Sequence, residues 1–450
     1  MPDRPARDIP QRAAVRSARL AALPLGFAGR AAVNWGRKAA GGDSDALSAR
    51  MLERNAEHMF AVLGELKGGA MKLGQALSVY EAMIPAEVAE PYRRALIKLQ
   101  TQGPSLPADK VHRVLDEQLG RNWRKHFEHF DDTPAAAASI GQVHKGIWLD
   151  GREVAVKVQY PGADVAVQTD LKQLQRFAKL FTLVVPGLDA RALIREVKDR
   201  MLEELDYHSE AEHQRRFADA YANDADIHVP AVLASAPKVI ISEWLDGPPL
   251  STLIQQAEPT PAEQMNRDRI ANIVIELMFS SPAKLGLLHA DPHPGNFLLM
   301  PDGRIGVIDF GAVAVLPDGL PPVLGQILRY AADREADKLM ELLRAERFVT
   351  GDVPAADVLR WLGALADPLR VDTFHADREW IGKQGSRVAN IAGNAYKQTG
   401  RSLNLPAEHM LVARVCGGWM NILAQLDCSV NARPIAMQWV PGFAEPTELT

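Results

Sequence analysis

Residues 289 to 311, HADPHPGNFLLMPDGRIGVIDFG, constrain what this chain can fold into more than any other stretch. Two short apolar runs flank Pro301-Asp302-Gly303, a loop–strand–turn–strand pattern that leaves little freedom of register. The leading loop holds Asp291 and Asn296 in Asp-x4-Asn spacing, and the second strand ends in Asp309-Phe310-Gly311. A rival reading takes His289, Asp291 and His293 as ligands of a metal-dependent hydrolase. Alternate residues share a face only on an extended strand, and Pro292 and Pro294 break such a strand. No H-E-x-x-H or comparable partner cluster accompanies them. His289 reads instead as the structural histidine of a kinase-type H-R-D loop.

The rest of the chain supplies elements in the order such a loop requires. Residues 44–82 and 86–100 read as helices, and PADKVHRVLDEQLG leads helically to an alanine run at 135–138. SIGQVHKGIWLDGREVAVKVQYPG then shows two β-rich runs joined by Asp150-Gly151, which predicts a type I′ hairpin turn. Helical patterns over 164–186 and 190–222 follow. A short strand, KVIISEWL, passes through DGPPL into further helices. After Leu316 the sequence reads as helical to about residue 427. The fold class expected is α+β: a protein-kinase-like two-lobed fold with an N-terminal helical extension and a mostly helical large lobe. The boundaries are a basic apolar segment 1–42, the extension 43–130, a small lobe 131–247, a large lobe 248–440 and a tail 441–450.

Composition sets outer limits. With 450 residues, 47% apolar and 24% charged, the chain can bury a real core. A net charge of −5 argues against general nucleic-acid binding. Cys416 and Cys428 fit neither a disulfide framework nor a zinc pattern, which points to a reducing, cytoplasmic setting. No apolar run reaches the ~18 to 20 residues of a membrane span, and Pro24 interrupts the one stretch resembling a signal core. From Ile9 to Gly42, however, six basic residues (Arg12, Arg16, Arg19, Arg30, Arg37, Lys38) stand among apolar ones with no acid. A basic, apolar segment of this kind predicts peripheral attachment to a membrane surface.

Kinase-type phosphoryl transfer needs a strand lysine for the α/β-phosphates, a helical glutamate to hold it, a loop aspartate facing the acceptor, and Mg²⁺ ligands. VAVK places Lys157 on a strand directly after the hairpin. Asp291 would orient the nucleophile, and Asn296 with Asp309 would hold Mg²⁺. By analogy Glu243 and Leu245 supply the hinge backbone that meets adenine. Any one match recurs by chance; the ordered set specifies ATP and Mg²⁺.

These residues resemble the UbiB-type atypical kinase family, linked to ubiquinone biosynthesis and lipid homeostasis, over roughly residues 10 to 440. AAAASIGQVHKG is similar to that family's Ala-rich loop, here Ala135, Ala136, Ala137, Ala138 and Ser139, which stands where other kinases have a Gly-rich loop. GGAMKLGQALS carries its Lys-x-Gly-Gln, here Lys72 and Gln75, and EELDYHSEAEHQRRF its Glu-x-Asp, here Glu204 and Asp206. The resemblance implies that Lys72 and Gln75 gate the site against those carboxylates and that Glu210 partners Lys157. Alanine's Cβ limits close backbone approach to phosphates, and no Ala-Pro-Glu follows Gly311, so protein phosphorylation is disfavoured. The expected partners are a nucleotide and a membrane surface or a lipid- or quinone-like small molecule, with a homodimer allowed. A small-molecule phosphotransferase of the aminoglycoside or choline type and a non-catalytic nucleotide-dependent scaffold are the competing functions.

Overall fold

The computed structural model describes residues 106–138, 140–165, 167–168, 202, 205–256, 258–349, 351–389 and 406–444. Helix α1 (Ala108–Leu119) buries Val111, Val114 and Leu115, the i, i+3, i+4 set that forms one helical face. Three strands follow: β1 (Phe127–Ala137), β2 (Gly141–Trp148) and β3 (Glu153–Gln159). The two β-rich runs expected from the sequence are β2 and β3. The strand before them, which takes in Ala135 to Ala137, was not legible.

The β2–β3 connection differs from the expected type I′ turn. That turn would place both Asp150 and Gly151 at positive φ, and only Gly151 is there, at +83°. Gly151 N–H donates to Trp148 O at 2.9 Å and Trp148 N–H to Arg152 O at 2.8 Å. The loop is therefore a type I turn followed by a left-handed bulge glycine.

Helix α2 (Tyr207–Ala220) begins at Asp206, whose carboxylate accepts from the His208 and Ser209 amides at 3.1 Å each. β4 (Ile227–His228), β5 (Val232–Ala236) and β6 (Val239–Glu243) follow, and one five-stranded sheet has the order β1-β2-β3-β6-β5. After the short α3 (Leu250–Gln255), α4 (Pro261–Leu285) is the longest described helix. Its start is written locally: Pro261 at the first helical position, and a capping box in which Glu263 and Thr260 bond each other's backbone. From Ile270 onward α4 is buried nearly all round, with Ile270, Ala271, Ile273, Val274, Ile275, Leu277 and Met278 in the core. A helix apolar on every side has no solvent face to display, and other elements enclose α4.

Short strands β7 (Leu287–His289), β8 (Phe297–Leu299), β9 (Ile305–Val307) and β10 (Val313–Val315) carry the motif stretch. Helices α5 (Pro322–Ala332), α6 (Ala336–Ala345) and α7 (Ala355–Ala366) come next. The expectation of unbroken helix to residue 427 is corrected here. β11 (Phe374–Ala376) lies between α7 and α8 (Arg378–Ala389) and pairs antiparallel with β12 (Cys428–Val430). α9 (Ala407–Leu426) and α10 (Ala432–Trp439) flank β12.

The described residues fall into two compact units. One holds those of 1–117, 131–144 and 157–205; the other holds 118–130, 145–156 and 206–450. The helices expected over 44–82 and 86–100 lie outside the described residues, as does most of the helical sequence expected between 164 and 206. The mixture of helices and mainly antiparallel strands is α+β, as expected.

Candidate active site

The motif stretch folds back on itself twice. β8 and β9 form an antiparallel hairpin across Pro301-Asp302-Gly303, pairing Phe297 with Val307 and Leu299 with Ile305. One step beyond, Ile308 N–H donates to Asn296 O at 2.9 Å, which brings the backbone before Asp309 against Asn296. β10 pairs antiparallel with β7, opposing Val313 to His289, and Ala290 N–H donates to Ala312 O at 2.9 Å. The two ladders thus close both ends of the stretch. They gather Asp291, Asn296 and Asp309 from positions up to eighteen residues apart in sequence.

Between the ladders the loop is tied by its own groups. His293 N–H donates to Asp291 O at 2.8 Å and Asn296 N–H to His293 O at 2.9 Å, closing a one-turn 3₁₀ helix over Pro294–Asn296. His293 Nδ1 accepts from Gly295 N–H at 3.1 Å, so this ring serves the loop. Asn296 is buried, and its amide Nδ2 donates to Asp291 O at 3.2 Å. That bond orients the amide and leaves Oδ1, which accepts no hydrogen bond among the described residues, as a hard oxygen donor.

Asp309 sits in the left-handed region, with φ at +66°. Such a conformation costs an L residue roughly 1–2 kcal/mol, and aspartate tolerates it because its short side chain bonds nearby backbone. Here Oδ1 accepts from Gly311 N–H at 3.1 Å. His289 completes the arrangement: its Nε2–H donates to Asp309 O at 2.8 Å. The His289 ring is wholly buried and meets Phe310 at 5.5 Å and Phe297 at 5.8 Å between centroids. Burial holds the imidazole below its ordinary pKa, hence neutral, against the raising pull of Asp291 and the Asp309 carbonyl. Phe310 in turn packs on Phe217 of α2 at 4.9 Å. His289 and His293 thus each turn a ring nitrogen to a backbone group.

An oxygen set of one carboxylate and one amide suits Mg²⁺, which takes one or two protein oxygens and completes its shell with phosphate and water. The described residues hold no cluster of three His, Cys, Asp or Glu side chains for a metal, and a nucleotide-borne Mg²⁺ needs none.

The remaining expected residues fall as follows. Lys157 and Ala135–Ala138 belong to the first unit; Asp206, Glu210, Glu243 and Leu245 belong to the second. Lys157 is half-buried on the β3 face opposite the fully buried Val154, Val156 and Val158. Ala135 to Ala137 are the exposed end of β1, not loop, and Ala138 N–H donates to Gly141 O at 2.9 Å to close the β1–β2 hairpin. Pairing with β2 overrides alanine's weak preference for strands. Glu210 is buried in the first turn of α2, where the helix dipole favours a carboxylate. Asp206, expected as a gating carboxylate, caps that helix. The Ser209 hydroxyl and amide hold its pKa below the usual range. Glu243 ends β6, where its N–H donates to Ala231 O at 2.9 Å and its carboxylate meets His228 Nε2 at 3.0 Å. Leu245 is buried. Lys72, Gln75, Glu204 and Ser139 lie outside the described residues.

Sequence reasoning passed over Arg414, which donates from Nη2 to Ala290 O at 3.2 Å. A single arginine in the apolar run MLVARVCGGWMNIL was the available signal.

Comparison with known proteins bears directly on this arrangement. Residues 98–343 match the ABC1 atypical kinase-like domain, more than half of the chain. The chain belongs to that family. The UbiB-type resemblance read from the motifs is thereby upheld. The chain is 32% identical to "Atypical kinase coq-8, mitochondrial" of Caenorhabditis elegans, over 66% of its own length and 39% of the relative's. It is 30% identical to "Protein ACTIVITY OF BC1 COMPLEX KINASE 3, chloroplastic" of Arabidopsis thaliana, over 64% of its length and 40% of the relative's. The alignments thus span well under two thirds of these ABC1 relatives. Among solved structures, the Rv3197–erythromycin complex from Mycobacterium tuberculosis aligns with a TM-score of 0.66 at 46% identity. That alignment covers 90% of this chain and 100% of the other.

Proposed function

We propose that this ABC1-family chain is an atypical kinase or ATPase of two-lobed, protein-kinase-like architecture. It binds Mg²⁺-ATP and acts at a membrane surface in lipid or isoprenoid-quinone metabolism. The observation that carries the reading is the gathering of Asp291, Asn296 and Asp309 by two ladders, in the order kinase chemistry requires. Asn296 Oδ1 and the Asp309 carboxylate would hold Mg²⁺, which when bound neutralises charge on the β- and γ-phosphates. Lys157, with Glu210 as its carboxylate, would hold the α/β-phosphates. Glu243 already donates its N–H to Ala231, so adenine recognition at that residue falls to its carbonyl, with the Leu245 backbone beside it. Asp291 orients a water or small hydroxyl towards the γ-phosphorus. The new O–P bond forms as the bond to ADP breaks, and the hydroxyl proton passes to the Asp291 carboxylate. The strand-end alanines restrict backbone approach to the phosphates, which favours hydrolysis or a small acceptor over a protein.

The test is ATP turnover with and without anionic liposomes and quinone-like phenols. Stimulation by both is the expected result. Asp309→Asn should abolish Mg²⁺-dependent nucleotide binding and turnover; unchanged Mg²⁺-ATP affinity in that variant would remove the assignment.

A second reading, binding of a macrolide-like ligand, is favoured by one observation: the structural relative at 46% identity was solved with erythromycin. Calorimetric titration with erythromycin, with and without Mg²⁺-ATP, decides it. Absence of heat in both arms rejects it.

A further inference from the structure

We infer that α9 is a clamp that sets the position of Asp291 from both sides, with Arg414 and Gly418 as its positioning residues. The inference rests on the assignment of Asp291 above. In the H-R-D loops of conventional kinases an arginine precedes the aspartate; here that place is held by Ala290, which is fully buried and offers no polar side chain. The polar contact arrives from elsewhere. Arg414, 124 residues later in the chain, donates from Nη2 to Ala290 O at 3.2 Å. One turn on, α9 meets the other neighbour of Asp291. A Cβ placed on Gly418 would lie 2.4 Å from Pro292 Cγ, so only glycine lets the helix approach this closely. Residues four apart lie on one helix face. Arg414 and Gly418 therefore bear together on residues 290 and 292, flanking the aspartate. Trp419, packed at 5.1 Å on Phe297, anchors the same stretch of α9 beside the strand that follows the loop.

A nucleophile-orienting carboxylate must be held in place, because a misplacement of about 1 Å can cost about 10²-fold in rate. The clamp supplies that restraint through the backbone carbonyl before Asp291 and the ring after it. The adjacent Gly417 provides an internal control, since a Cβ there meets nothing within 4 Å.

Arg414→Met, Arg414→Lys, Gly418→Ala and Gly417→Ala should be compared with the parent chain. The measurements are kcat and KM for Mg²⁺-ATP turnover and hydrogen exchange of the 289–296 amides. In Arg414→Met and Gly418→Ala, kcat should fall by about 10-fold or more, within the range misplacement produces, while KM stays nearly constant. Exchange over 289–296 should accelerate in both. Tens of millimolar guanidinium should restore part of the Arg414→Met loss, Arg414→Lys should be intermediate, and Gly417→Ala should be silent. Equal behaviour of Gly418→Ala and Gly417→Ala, or an Arg414→Met loss confined to KM with unchanged exchange, overturns the clamp. If Gly418→Ala fails to fold, the Arg414 pair and guanidinium rescue decide alone. If the parent chain turns over no ATP, the functional reading falls, while exchange over 289–296 still decides the clamp.

Discussion

At the scale of single residues, His144 shows how burial fixes a protonation state. Its ring is fully buried, with Nδ1–H donating to Asp131 O at 2.8 Å. Nε2 is then the acceptor for the Gln142 amide at 2.8 Å. That amide is itself oriented by Leu106 N–H, which donates to Gln142 Oε1 at 2.7 Å. A second proton on His144 would set two donors against each other. Burial is the leading reason its pKa lies below the ordinary value of 6.5, although the Asp131 carbonyl pulls the other way. Buried His289 and part-buried His213 are shifted in the same direction for the same leading reason. Below pH ~6.5 the unfolded chain then binds more protons than the folded one. Stability from these histidines is present above that pH and is lost as the pH falls through it. Thermal unfolding between pH 7.5 and 5.5 should show a falling midpoint, and His144→Asn, less stable at pH 7.5, should show a shallower fall. A parent midpoint independent of pH across that window would mean the histidines titrate alike folded and unfolded.

Elements reveal which local signals suffice. The β2–β3 hairpin depends on a left-handed residue at Gly151, where a Cβ would meet nothing within 4 Å. Gly151→Ala therefore probes backbone conformation alone and should destabilise by about 1–2 kcal/mol, read as a lower denaturation midpoint at constant m. No loss would show that the turn can convert to another type. The β1–β2 hairpin bears on function instead. Ala137 ends β1 in an exposed position, and glycine there would loosen the strand end. Ala137→Gly should change nucleotide affinity, measured by titration with a fluorescent ATP analogue. Unchanged affinity for glycine at 136, 137 and 138 in turn would place this hairpin away from the nucleotide.

For the whole molecule, the charge of residues 1–42 makes the boldest prediction, although that segment lies outside the described residues. Each of its basic residues gains roughly 1 kcal/mol near an anionic surface, an attraction screened by salt. Deleting 1–42 should abolish co-sedimentation with anionic vesicles at low salt and leave nucleotide binding nearly intact. Equal vesicle binding by full-length and truncated chains would sink the membrane role of the segment. No helix among the described residues is long and apolar enough to cross a membrane. The sequence by itself determined the order of the motifs and the β8–β9 hairpin, whose turn at Pro301-Asp302-Gly303 is encoded within a few residues. It did not disclose β1, β5 or the pairing of β11 with β12. β11 and β12 are three residues each, too short for a period, and they meet across more than fifty residues of chain. Tertiary structure alone decided the left-handed backbone of Asp309, the burial of His289 among aromatic rings, and the approach of Arg414 and Gly418 to the loop. His289, twenty residues earlier, bonds Asp309 O, the His289 ring meets Phe217 of α2, and Arg414 reaches Ala290 across 124 residues; local propensity carries no record of a partner that only packing supplies.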